Sequence, residues 1–364
     1  MTMKLIALVN PGMEELCRQE IPEIINAAGK DFGKKYPHLI EFESSGEQAL
    51  QLLHHGQSLR RLLVSLTKCK NIDDLDFNSV AWKEYLPTTP ALSFKVEVEN
   101  VKGMDNRLDI ARKVAGKVFA AVEKQKLPLT IDLKKPDFLL MVYFNGKEYF
   151  LGIDLAGEEL HSRAYRVFTH SASSKGDLGY YFVRKTGYKR GNSFLIEFAK
   201  DGVIAIEAAL YASRMPVHSA ASKFSYKKLP LFQSLQYLPL ISQSSTSIAA
   251  VDEGSQNVTA ARKNAQIAGV RNFINLQKIP LDELSGAFHE QEFDQILFQV
   301  TTKDEEKLNE IYHQTKYLLK PKGTLLLIGR ESWEISTPSY CKLVSEEVLE
   351  RGENKYKLWL MQRK

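Results

Sequence analysis

Residues 3–9 form an apolar run closed by Pro11-Gly12, the pattern of a buried strand that ends in a turn. Residues 13–28 and 46–64 carry apolar positions at helical spacing, so the first part of the chain is predicted to be a small α+β unit. At residue 92 the period changes. Phe94, Val96 and Val98 alternate with polar residues, as in a half-buried strand, and Leu108, Ala111, Ala115, Val118 and Val122 then recur at helical spacing. Further strands are predicted at 129–134, 138–144 and 147–154, the last two joined by Asn145-Gly146, which suits a hairpin because both residues tolerate positive φ. The stretch HSRAYRVFTHSASSKGD after Gly157 reads as a linker into a helix near 175–187. Beyond it strands at 194–198, 247–251, 272–276, 294–299 and 324–328 alternate with helices at 203–213, 255–268 and 304–319. This βαβα order implies a mostly parallel sheet covered by helices. Residues 343–349 and 356–361 then predict a closing antiparallel hairpin.

Composition adds exclusions. With 364 residues, 44% of them hydrophobic, the chain buries a sizeable core in two or three domains and is not disordered in the main. The net charge of +5 is concentrated: residues 91–190 hold 18 basic against 12 acidic side chains. No run of 18 apolar residues is present, and MTMKLIALVNPGMEEL lacks the layout of a signal peptide, so a cytoplasmic protein without a membrane partner is expected. Cys17, Cys69 and Cys341 are too few and too far apart for a disulfide framework or a CxxC zinc site. The eight histidines show no HExxH-like spacing, so no metal is expected, and His54-His55 and His289-Glu290 read as surface residues. Ser173-Ser174-Lys175 lacks the partners of a hydrolase motif, and no GxGxxG turn exists to hold a dinucleotide.

The segment YLLKPKGTLLL at 317–327 with the final hairpin, AARKNAQIAGV at 260–270 and FLIEFAKDGVIAIEAAL at 194–210 resemble the class I S-adenosylmethionine-dependent methyltransferases. IDLKKPD at 131–137, FLGID at 150–154, the linker GEELHSRAYRV and ASSKGDLGYYFVRKTGY, with Lys175 at the place of a family lysine, extend the match over nearly the whole chain. It is similar to the THUMP-containing RNA guanine-N2 methyltransferases. The resemblance implies an α+β N-terminal half (ferredoxin-like region plus THUMP domain) followed by an α/β class I methyltransferase-like domain with a mostly parallel seven-stranded sheet. The expected boundaries are 1–85, 86–156 for the THUMP core, 157–185 for linker and helix, and 186–364 for the methyltransferase-like domain.

The chemistry-bearing motifs depart from this family. Its first loop resembles Asp-Pro-x-Cys-Gly-Ser-Gly-Thr, whose glycines let the backbone approach the cofactor. Residues 196–203 stand there, with Glu197 in place of proline, Lys200 in place of the first glycine and Gly202 retaining the second. Lys200 reads either as a solvated loop lysine or as a phosphate contact. Asp252 stands where a carboxylate takes the cofactor ribose, although an Asp there also suits a helix cap. The acid expected near the adenine falls on Pro280, with Asp282 and Glu283 close by. Family members that methylate exocyclic amines carry Asn/Asp-Pro-Pro-Tyr/Phe after the fourth strand, where a side-chain oxygen and a proline carbonyl accept from the amine and the aromatic ring stacks on the base. Gln299, Val300, Thr301 and Thr302 occupy those places. The prolines and the stacking face are gone, which leaves at most a rearranged site using Gln299 and an aromatic such as Tyr226 or Tyr237. No cysteine lies near this strand for pyrimidine carbon-5 chemistry.

THUMP domains of the family bind the acceptor end of tRNA, so the resemblance makes Arg107, Arg112, Lys113, Lys117, Lys134, Lys135, Arg163 and Arg166 candidate RNA contacts, against the alternative of a solvated polar face. The sequence reading is an RNA-binding protein, for tRNA, whose methyltransferase-like domain has lost catalysis; Gly202 and Asp252 are vestiges of the cofactor site. The rivals are an active S-adenosylmethionine-dependent tRNA guanine-N2 methyltransferase and a scaffold for a protein partner.

Overall fold

The computed structural model describes residues 2–27, 33–219, 222–241, 247–300, 304–352 and 354–364. The chain forms two compact units: Met1–Leu160 with His218–Leu238, and His161–Val217 with Pro239–Lys364. The first division falls four residues beyond the expected boundary at 156, and the 218–238 segment groups with the first unit.

The first unit contains strands β1 (Thr2–Val9), β2 (Lys34–Tyr36), β3 (Leu39–Ser45), β4 (Leu59–Cys69), β5 (Leu92–Glu99), β6 (Leu129–Ile131), β7 (Phe138–Phe144) and β8 (Tyr149–Asp154), with helices α1 (Glu14–Ile25), α2 (Gly46–His55) and α3 (Met104–Lys124). The strands make one eight-stranded sheet in the order β2-β3-β1-β4-β8-β7-β5-β6. It runs across residue 85, where the sequence reading places a domain boundary, because β4 pairs with β8 from Leu63↔Asp154 to Cys69↔Tyr149. Helix α2 starts on a capping box, in which the Ser45 hydroxyl accepts from Gln48 N–H and the Gln48 side chain accepts from Ser45 N–H. The expected helix over 46–64 stops at Gly56, and the apolar run after it becomes β4. A continuous apolar run suits a strand buried on both faces as well as a helix, and here pairing on both edges decides. The 145–148 turn is held by Asn145 Oδ1, which accepts from the N–H groups of Lys147 and Glu148 at 2.9 and 2.8 Å.

The 218–238 segment is held by histidines that the sequence reading leaves on the surface. His54 and His55 are both buried. His54 Nδ1 donates to the His218 carbonyl at 2.8 Å, its ring stacks on Tyr237 with centroids 3.9 Å apart, and the Tyr237 hydroxyl lies 2.8 Å from His55 Nε2. Burial lowers the His54 pKa, which favours the neutral ring. Tyr226 packs beside His54 in the same cluster, so both tyrosines named for a rearranged site belong to the first unit, Tyr226 buried and Tyr237 half-buried.

The second unit holds α4 (Gly176–Lys185), β9 (Ser193–Glu197), α5 (Val203–Ser213), β10 (Ser247–Asp252), α6 (Ser255–Ile267), β11 (Ile274–Lys278), β12 (Phe293–Gln299), α7 (Glu305–Leu318), β13 (Leu319–Arg330), β14 (Cys341–Arg351) and β15 (Asn354–Arg363). Its sheet has the order β11-β10-β9-β12-β13-β15-β14. The sheet is mixed: pairing is parallel from β11 to β13, as expected, and antiparallel at the β13–β15–β14 edge. Helix α5 is apolar nearly all round and buried along its length, so it is a core helix and not an amphipathic cover. Strand order reverses between β9 and β12, and the crevice at the carboxyl ends of these strands is where open α/β sheets bind ligands. Among the described residues, no helix is long and apolar enough to cross a membrane and no group of three His, Cys, Asp or Glu is arranged to hold a metal ion.

Candidate functional site

The crevice is bounded by the 198–202 loop, the end of β10 and the end of β12. Strand β9 lies between β10 and β12, with Glu197 opposite Val251 and Phe298. The loop after it turns through three positive φ values: 55° at Phe198, 52° at Lys200 and 84° at Gly202. Only Gly202 takes this conformation without steric cost. A Cβ on Gly202 would also meet Ala261 Cβ at 2.8 Å, so this glycine is required for the approach of the loop to α6 whether or not a cofactor binds.

The polar groups of the crevice satisfy one another. The Lys200 ammonium donates to the Ala172 carbonyl at 2.9 Å and to Gln299 Oε1 at 3.2 Å, while the Gln299 amide nitrogen donates to the Phe198 carbonyl at 3.2 Å. Lys200 and Gln299 are both buried. Lys200 is therefore not a solvated loop lysine. Burial lowers its pKa, with Asp201 and Asp252 acting in the opposite direction. Asp252 accepts through Oδ2 from Lys200 N–H at 2.9 Å, and through Oδ1 from Gly254 N–H at 2.8 Å and the Asn257 side chain at 2.9 Å. These bonds tie the loop after β9 and the turn before α6 to Asp252 without capping the helix, and they use most of the carboxylate's acceptor capacity.

S-adenosylmethionine fits these residues poorly. The cofactor carries a sulfonium and an ammonium, whereas the crevice already encloses the Lys200 ammonium, and both the Asp252 carboxylate and the Gln299 oxygen have internal donors. One group stands apart. Glu197 is fully buried, and among the described residues neither carboxyl oxygen has a hydrogen-bond partner. Burial, with Glu253 and Asp252 adding to it and Lys307 opposing, holds its pKa well above the ordinary carboxylate range. The neutral form of the Glu197 carboxyl is thus favoured at the strand-order reversal.

Residues 163–335 match the family model described as RMKL-like, methyltransferase domain. Over these residues the second unit is similar to that methyltransferase domain. Over 307 residues the chain is 27% identical to the tRNA (guanine(6)-N2)-methyltransferase of Archaeoglobus fulgidus, covering 79% of this chain and 72% of that one. Two solved structures share the architecture: TrmN from Thermus thermophilus, with a TM-score of 0.71 at 20% identity over 100% of both chains, and SMU.472 complexed with SAH, with 0.72 at 16% over 99% of this chain and 97% of that one.

Against this fold, the other residues named from sequence fall into three groups. Val300 is buried and donates its N–H to the Ile328 carbonyl at 2.9 Å; Thr301 and Thr302 lie outside the described residues. Pro280 opens a turn on which Asp282 and Glu283 are exposed. Of the basic residues, Arg107, Arg112, Lys113, Lys134 and Lys135 are exposed in the first unit. Lys113 is ion-paired with Asp73 at 3.2 Å, and Lys117 donates to the Asp73 and Leu75 carbonyls at 2.7 and 2.9 Å, which makes it a structural tie to a neighbouring turn.

Arg163 corrects the sequence reading. Arg163 has no exposed side-chain surface: Nε lies 2.7 Å from Glu207 Oε1 and Nη2 lies 3.2 Å from Oε2, while the Tyr165 hydroxyl donates to the same carboxylate at 2.6 Å. A phosphate cannot reach a guanidinium enclosed in this way. Arg166 is mostly buried and lies 3.8 Å from the Asp201 carboxylate, which also accepts from His170 N–H and the Ser173 hydroxyl. Sequence reasoning missed Glu207, Asp201 and the buried Asn264. Two signals were available: Glu207 is a lone acid inside an otherwise apolar helix, and Asn264 interrupts the apolar stripe of α6 next to Ala261 and Ala265.

Proposed function

We propose that this chain is an RNA-binding protein, for tRNA, with a THUMP-type first unit, and that its methyltransferase-fold unit has lost methyl transfer. One observation carries the loss: the Lys200 ammonium is hydrogen-bonded to Gln299 Oε1. An exocyclic amine is a weak nucleophile because its lone pair is delocalised, so a site that methylates it must accept from the NH₂ group. Gln299 offers the one side-chain acceptor among the described residues at the four motif positions, and an internal cation already takes one of its two lone pairs. The tRNA part of the reading is supported by the name of the archaeal relative and by the exposed Arg107, Arg112, Lys113, Lys134 and Lys135 of the first unit.

The second reading, an active S-adenosylmethionine-dependent methyltransferase, is favoured by the domain match over 163–335 and by Glu197, whose carboxyl has no partner among the described residues and would gain one from a bound ligand. Incubating unmodified tRNA with methyl-labelled S-adenosylmethionine separates the two. The first reading expects no label above background. Stoichiometric label that disappears with Gln299→Ala would establish the second.

A further inference from the structure

Residues 161–176 and 254–281 contain no aspartate or glutamate, yet besides the enclosed Arg163 they carry Arg166, Lys175, Arg262, Lys263, Arg271 and Lys278. These two segments of the second unit meet at Phe168. The Phe168 N–H donates to Asn264 Oδ1 at 3.0 Å, and its carbonyl accepts from Asn264 Nδ2 at 2.9 Å. Asn264 is itself fully buried and also donates to the Asp201 carbonyl at 2.9 Å. The backbone of residue 168 is therefore clamped at two points while the residue remains 39% exposed. Lys263 Nζ lies 4.6 Å from the ring centroid. A shallow groove of about 280 Å³ runs from the ring along Ser255, Gln256, Thr259 and Ala260, and a second of about 390 Å³ runs along Arg262, Gln266, Ile267 and Arg271.

An aromatic ring left in water is normally explained by chance, but a backbone clamp built around it by a buried asparagine is a device for holding it still. A rigid ring face selects a planar partner. A group of cations selects an anionic one: Arg262 and Lys263 are exposed beside the ring, and Arg262 and Arg271 each spend one donor on a carbonyl, of Leu276 and Ile274 at 2.9 and 3.0 Å. An unpaired nucleotide of a single strand supplies both, and a duplex does not, because its bases are already stacked on one another. We propose that Phe168 is a stacking platform for an unpaired RNA base, with Arg262, Lys263 and Arg271 neutralising the adjoining phosphates. Lys263, on its flexible four-carbon stem, moves from the ring face to a phosphate when the base arrives. The proposal rests on the RNA-binding reading and adds to it a contact surface on the second unit, outside the groups that line the β9–β12 crevice.

The test uses the full chain, fluorescein-labelled octauridylate and unmodified bulk tRNA in anisotropy titrations. Phe168→Ala is expected to weaken octauridylate binding about tenfold, and Phe168→Tyr to leave it within about twofold, since stacking of one base accounts for such a change. Arg262→Gln with Lys263→Gln is expected to lower the slope of log affinity on log salt by about 0.7 for each phosphate that is no longer neutralised. Wild-type chain that binds tRNA but not octauridylate, or octauridylate binding that both sets of variants leave unchanged, would overturn the stacking site and leave the RNA-binding reading intact. Wild-type chain that binds neither RNA would overturn both. Binding of a poly-glutamate peptide at these cations with an affinity equal to that of octauridylate, and insensitive to Phe168→Ala, would identify a general anion surface and refute the proposal.

Discussion

Replacing Arg163 by methionine separates a structural arginine from a nucleic-acid contact. In the folded chain the guanidinium and the Glu207 carboxylate have no exposed side-chain surface, two N–H groups reach the two carboxylate oxygens at 2.7 and 3.2 Å, and the Tyr165 hydroxyl donates to the same group at 2.6 Å. Because water does not screen this pair, removing one partner leaves a buried charge without its counter-ion, at a cost of about 3–5 kcal/mol. Gly176 tightens the site further: a Cβ there would meet Arg163 Cγ and Nε at 2.5 Å and Glu207 Oε1 at 2.8 Å, so the start of α4 is moulded around the pair. For a unit comprising residues 161–217 and 239–364, that loss corresponds to a fall in melting temperature of roughly 6–20 °C. Calorimetry reads the shift, and hydrogen exchange in α5, which carries Glu207, locates it. Below the transition the variant should bind tRNA as the wild type does. The triple change Arg163→Met, Glu207→Leu and Tyr165→Phe, which replaces all three polar groups by apolar ones of similar volume, should recover much of the loss. An Arg163→Met protein with unchanged melting would refute this reasoning, and one that in addition binds tRNA more weakly would restore Arg163 as an RNA contact.

The remaining expectations concern the crevice and the first unit. Wild-type protein titrated with S-adenosylmethionine in a calorimeter should give no saturable heat; a saturable isotherm would show that Lys200 yields to the cofactor. Lys200→Gly relieves a residue held at φ 52° but removes two hydrogen bonds from an ammonium, so a net destabilisation of about 1–3 kcal/mol is expected in urea unfolding, and a stabilised variant would contradict the geometry. The folded-state pKa of His54 is below its ordinary value, so the stability it contributes is present above about pH 6.5 and is lost as pH falls towards the folded value. Thermal melts should show that loss in the wild type and less of it in His54→Gln; parallel pH profiles for the two proteins would refute it. Arg112→Glu with Lys134→Glu and Lys135→Glu, exposed positions that spare the structural Lys117, should weaken tRNA binding severely and reduce the salt slope by about 0.9 per duplex phosphate that is no longer neutralised. An unchanged slope in the folded variant would mean that this face is merely solvated.

How much of this was legible beforehand differs from element to element. Alternation of period fixes a segment's local state when only one neighbour arrangement can bury it. Helix α5 matches its predicted bounds of 203–213, and β9, β10 and β12 fall within a residue of theirs, because short apolar runs bounded by loops have no competing way to hide. Residues 56–64 defeated the same logic. Their apolar run is compatible with helix or strand, and pairing with both β1 and β8, the latter more than 80 residues away along the chain, made it a strand. The departures from the methyltransferase motifs at Lys200 and Gln299 were visible in the sequence, but their consequence was not. The hydrogen bond between them spans 99 positions, and whether a lysine in that loop is solvated or turned inward depends on what lies opposite. Arg163, His54 and His55 carry polar side chains, which bias any sequence reading towards the surface; each is buried because the fold supplies a partner, Glu207, the His218 carbonyl and the Tyr237 hydroxyl respectively. Sequence alone determined which segments are strands and helices and which side chains are available. Tertiary structure decided which of those polar side chains are spent on one another, because a buried polar group is tolerated only where a distant residue meets its hydrogen-bonding need.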